Sequence, residues 1–110
     1  MRQWLVDPKL LCRKHLLGEH VESHMFLGSL KKNHSVQGFV DTGLYDPQQL
    51  YTRHEELVNE MTRRGYNHKS ELELIKLPDI KGHVDSKANL IELSRRCEEC
   101  RKLIQKEHVR

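Results

Sequence analysis

The chain has 110 residues, enough for one domain and one only, with little apolar surface to spare. It is 32% charged and only 5% aromatic, and no window approaches the roughly 18 uninterrupted apolar residues of a membrane span. The net charge of +3 is unevenly spread: six Lys/Arg against three Asp/Glu over residues 1–34, seven against ten over 35–94, and six against three over 95–110. If the basic ends meet in space they make a positive face suited to phosphate; if not, they are solvated helix termini.

Residues 1–12, MRQWLVDPKLLC, place charge and a proline where the apolar core of a secretory signal would lie, so a cytoplasmic location is expected. Asp7–Pro8 reads as a helix start, with the aspartate capping free amides and proline in the first turn, where its missing N–H is harmless. The predicted helix runs from about 8 to 32. Leu10, Leu17, Val21 and Met25 form one apolar stripe along it, and Leu16, Leu27 and Leu30 form another, so both flanks are expected to be covered. Between them run His15, Glu19, Glu22 and Phe26 at i, i+4, i+7 and i+11, a mostly polar line at the bottom of a groove.

Residues 33–46 read as a loop. Asp46–Pro47 repeats the cap signature, and a second helix follows to Arg64, with Leu50, Leu57, Val58 and Met61 on one stripe and Gly65 as a left-handed stop. ELELIKLP, residues 71–78, alternates like a strand but has no partner, which favours an extended connection. A third helix is predicted from Asp85 and Ser86, with Leu90, Leu93, Cys97, Cys100 and Ile104 on its packing seam. With no repeat or linker, the chain reads as one all-α domain over 1–110: three main helices, an extended N-terminal segment and irregular connections.

Several residues carry chemistry. The three cysteines are an odd count, which argues for reduced thiols rather than a disulfide framework. CEEC, residues 97–100, has zinc-ligand spacing, and His20 and His24 stand one helical turn apart. A structural zinc site needs a second close pair, which Cys12 alone does not supply, and Cys97 and Cys100 fall on an apolar seam, so no metal is expected. HVESH places its glutamate two positions after the first histidine, not one, so the metalloprotease signature is not met. A half-buried carboxylate beside a histidine, as Glu22 would be, is instead a candidate acid, base or cation stabiliser. Met1 lies some six residues from the first cap, so its α-amine can reach the same groove. Arg2 is large, so Met1 is expected to be retained. An α-amino group titrates near about 7.7–8.0, against roughly 10.4 for lysine, which leaves part of it nucleophilic at neutral pH.

HLLGEHVESHMFLG (15–28), RHEELVNEMTRRGYN (53–67) and, in pattern, ANLIELSRRCEECRKLI (88–104) resemble the pyrimidine-dimer DNA glycosylases with abasic-site lyase activity, the phage endonuclease V type. The resemblance implies a compact all-helical monomer that binds duplex DNA containing damaged or abasic sites, flips a nucleotide out, and needs no metal or organic cofactor. It implies that Met1 supplies the attacking amine and Glu22 the catalytic carboxylate. Arg2, His15, Lys14 and Arg101 would contact DNA. Val21 and Met25 stand where the family carries arginines, and the sequence ends IQKEHVR in place of an aromatic-rich tail. Chemistry at the sugar C1′ is therefore better supported than dimer specificity. The alternatives are a DNA-binding module of the same fold without catalysis, and a small helical metal-binding or interaction domain.

Overall fold

Three aspartates open helical segments by one device, their carboxylates accepting from backbone amides two or three residues on. Asp7 takes the Lys9 N–H at 3.0 Å, Asp46 that of Gln48 at 3.1 Å and Asp85 that of Ala88 at 3.0 Å. In the computed structural model, which describes residues 1–68 and 71–108, the helices are α1 (Arg13–Lys31), α2 (Gln37–Asp41), α3 (Leu50–Arg63), α4 (Ser86–Arg96) and α5 (Glu98–His108). The two Asp-Pro pairs start short 3₁₀ turns, Pro8–Leu10 and Pro47–Gln49. The second runs straight into α3, as predicted.

The first does not run into α1. Leu11 is extended and fully buried, and the Arg64 guanidinium takes its carbonyl at 2.6 Å and that of Pro8 at 3.2 Å. The predicted helix from 8 is thereby split, and α1 restarts after Cys12. The predicted third helix is also two: Cys97 is extended, at φ −131° and ψ 110°, and separates α4 from α5. Residues 33–46 hold the short α2 as well as loop, and 71–78 forms a connection with neither helix nor strand.

Gly65 ends α3 at φ +82°, and the Tyr66 N–H reaches back to the Met61 carbonyl at 2.8 Å. Gly82 is required for a different reason. A Cβ there would lie 2.1 Å from the Tyr45 carbonyl oxygen, so only glycine lets the 71–85 connection pass this close to the main chain.

α1 and α3 pack antiparallel. Leu16 of α1 meets Leu57 and Met61 of α3 in one core, which Trp4, Leu93 and Ile104 complete. At the other end Phe26 and Leu27 meet Leu50 in a second, where the Phe26 and Tyr45 rings stack at 3.7 Å. Between them lies a buried polar layer of Glu19, His20, Ser23, Arg53 and His54. One expectation fails here. Val21 and Met25 are 55% and 49% exposed, so that flank of α1 faces solvent rather than a packed element.

Candidate active site

The N-terminal segment is held from both sides. The Gln3 N–H donates to the Leu44 carbonyl at 2.7 Å, and its side-chain oxygen accepts from the Asp46 N–H at 2.9 Å. The Trp4 carbonyl accepts from the Asn89 amide of α4 at 2.8 Å. Arg2 donates to Asn89 at 2.8 Å, pairs with Glu92 at 3.3 Å, and lies 3.7 Å above the Trp4 ring. Leu5, at φ +52°, turns the chain out of this clamp toward the Asp7 cap, a conformation the contacts on either side must enforce.

This clamp sets the first residue against the middle of α1. Glu22 is half-buried, and the Arg2 backbone N–H donates to its carboxylate. Burial raises the Glu22 pKa. The Arg2 N–H, the N-terminal ammonium and the Arg2 guanidinium pull it back down, while Glu19 adds to the rise. The net shift is upward: a carboxylate that holds its proton more readily than a solvated one, within the field of the N-terminal ammonium.

A cleft of about 240 Å³ opens at this point, lined among others by Arg2, Trp4, Lys14, His15, Glu22 and Arg96. Residues from both basic ends thus line one concavity. A larger cavity of about 540 Å³ lies elsewhere, between the end of α1 and residues 75–80, away from Glu22. Of the residues predicted from sequence, Arg2, Lys14, His15 and Glu22 come together; Met1 is not among the residues lining the cleft, packs against the Phe26 cluster, and acts on Glu22 through the charge of its ammonium. Arg101 does not line the cleft; its guanidinium donates to the Ser94 carbonyl at 3.3 Å. Arg96 stands there instead, 5.4 Å from the Trp4 ring. Sequence reasoning missed both Trp4 and Arg96. Arg96 is one of an RR pair at the end of α4, and only the break at Cys97 shows which of the last helix's cations turns inward.

His15 is not a plain basic contact. Burial, and then the charges of Arg96, Lys14 and Arg2, lower its pKa, so the ring enters the cleft neutral at pH 7. Its edge meets Trp4, with ring centroids 5.7 Å apart.

The family model of pyrimidine dimer DNA glycosylase matches residues 1–74. The chain belongs to this family. The corresponding comparisons with curated proteins and with solved structures found no match. The part matched as pyrimidine dimer glycosylase contains the N-terminal clamp, α1 and α3, and so the amine, Glu22, Lys14 and His15. The α4–α5 hairpin, with Arg96, lies beyond it.

Two sets of side chains in this glycosylase-family chain present converging donors of the kind that bind transition metals. One joins Cys12 and His15 to Cys97 and Cys100. The other gathers His20 and His24 of α1, His54 of α3 and His68, with the His20 and His68 Nε2 atoms 3.0 Å apart. Burial, and then His54, His24 and His68, lower the His20 pKa to about 4, so its ring is neutral in the folded chain at pH 7.

Proposed function

We propose that this chain excises damaged pyrimidines from duplex DNA, cyclobutane dimers being the expected lesion, and then nicks the strand at the abasic site through an imine on its own N-terminus. What supports this is the Glu22 carboxylate, half-buried in a cation-lined cleft and within the field of the terminal ammonium. Membership of the pyrimidine dimer DNA glycosylase family supplies the reaction class.

The Met1 amine, after losing a proton, attacks the deoxyribose C1′ as the C1′–N bond to the base breaks and the base leaves with the bonding pair. The C1′–O4′ bond then opens, O4′ takes up a proton, and a C1′=N iminium forms. Among the described residues two glutamates line the cleft, Glu22 and Glu19, and the Glu19 carboxylate is occupied by Arg53. Glu22 therefore has two tasks: to stabilise the cation developing at C1′ and to carry protons during ring opening. Loss of a C2′ proton next expels the 3′ phosphate by β-elimination, and water hydrolyses the imine and restores the amine. Lys14, Arg2 and Arg96 contribute positive charge for the flanking phosphates. His15 adds an aromatic wall against Trp4.

Glu22→Gln keeps the shape of the side chain and removes its charge. Single-turnover nicking of a duplex with one abasic site is expected to fall by about 10²–10⁴-fold, with duplex binding at low salt retained. Equal loss of binding and nicking would make Glu22 a structural residue and refute its assigned role.

A further inference from the structure

We infer that Cys12, His15, Cys97 and Cys100 form a structural zinc site that fastens the C-terminal hairpin to the start of α1. The sequence carries two close pairs, Cys12-x-x-His15 and Cys97-x-x-Cys100, separated by 81 residues and brought together by the fold. One ligand atom from each lies within 4.8 Å of all the others.

Three of the six ligand-to-ligand spacings are close to the edges of a zinc tetrahedron. Zinc–sulfur bonds of about 2.3 Å and zinc–nitrogen bonds of about 2.0 Å imply S···S edges of about 3.8 Å and S···N edges of about 3.5 Å. The Cys12 and Cys97 sulfurs are 3.8 Å apart; Nδ1 of His15 is 3.2 Å from the Cys12 sulfur and 3.5 Å from that of Cys100. A disulfide requires about 2.05 Å between sulfurs, and three thiols around one imidazole cannot all be paired that way.

Backbone amides reach two of the sulfurs, although burial pushes the Cys100 thiol up to about 12 in the metal-free chain. The Cys12 N–H donates to the Cys100 sulfur at 3.2 Å, and the Cys100 N–H to the Cys97 sulfur at 3.5 Å. Cys12 is the N-cap of α1, His15 lies in that helix's first turn, Cys97 precedes α5, and Cys100 lies in the first turn of α5. Two positive helix ends therefore face the sulfurs. The break at Cys97 starts α5 at the site, with Cys97 just before its first turn and Cys100 within it. Four protein ligands close the shell, which is the pattern of a structural ion rather than a catalytic one. The site also joins the family-matched part of the chain to a hairpin outside it, and His15 and Arg96 carry it to the wall of the cleft.

The inference is independent of the reading of the reaction, because its test uses no DNA. Untagged full-length protein is stripped of metal and titrated with Co²⁺. The expected result is one equivalent giving thiolate-to-cobalt charge-transfer absorption and tetrahedral d–d bands, with Zn²⁺ displacing it. X-ray absorption of the zinc form should show three sulfurs and one nitrogen. Cys97→Ser with Cys100→Ser should abolish the charge-transfer band, and His20→Ala should leave it intact. Absence of the band in the wild-type chain, or a shell of nitrogen alone, would overturn the site whatever the variants do.

Discussion

Glu19 and Glu22 sit three positions apart on one helix and are used in opposite ways. Glu19 is 1% exposed and fully occupied, its two oxygens 2.6 and 3.0 Å from the Arg53 guanidinium. Glu22 has no such partner among the described ion pairs, and burial leaves its pKa raised. If ionised Glu22 steadies the cation at C1′, it adds to nicking an acid limb of its own, apart from the proton the amine must lose, and that limb lies above the ordinary carboxylate range of about 4.3. A single-turnover pH profile of the wild-type chain should show that limb, and Glu22→Gln should flatten it. A wild-type limb at or below the ordinary value would remove the link between burial and function. The sequence already carried this distinction in part. The line from His15 to Phe26 does face inward, but a helical pattern cannot say which of two glutamates finds an arginine from another helix. Sequence spacing pairs Cys97 with Cys100 but leaves Cys12 as a lone thiol, and only the fold sets it beside them and His15.

At the scale of elements, α1 and α3 are joined by apolar contacts at both ends and by Arg53 in the middle. Its guanidinium also donates to the Val6 carbonyl at 2.7 Å and to Glu56 at 3.2 Å, so it ties the N-terminal segment to the helix pair. Arg53→Met would leave a carboxylate buried without its countercharge and should cost about 3–5 kcal/mol in chemical denaturation. Adding Glu19→Leu should recover most of that loss, though not all, because the Val6 carbonyl loses its donor. If the single variant is as stable as the wild type, the polar layer does not hold the helices together. The Asp-Pro caps, the glycine stop and the helical periods of α3 were legible in the sequence because each rests on local chemistry. The breaks at Leu11 and Cys97 were not. At the first, Arg64, 53 residues away, donates to the Leu11 carbonyl, and at the second, Cys97 meets side chains from the other end of the chain; helical spacing shows neither partner. The exposed flank at Val21 and Met25 was misread for a related reason: apolar spacing marks a stripe without showing that anything covers it.

Across the whole molecule, the two basic ends meet at one cleft, where Arg2 and Lys14 from the first segment face Arg96 from the last. The charge distribution allowed this, and only the fold decided it. Acid stability is also a property of the whole chain. The unfolded state takes up a proton on His20 near about 6.5, while the folded state does so only near about 4, so this contribution is complete above about 6.5 and is lost as pH falls toward 4. In chelator, the urea midpoint of the wild-type chain should fall between pH 6.5 and 5, and His20→Leu should reduce that slope. An unchanged slope would show that the imidazole cluster does not carry the effect.

The central claim is that the terminal amine is the nucleophile. Borohydride should trap the chain covalently on a duplex bearing one abasic site, and mass spectrometry of the digested adduct should place the sugar on the α-nitrogen of Met1. A chain whose intact mass shows a free Met1 amine but which gives no adduct, or gives one on a lysine, would contradict it.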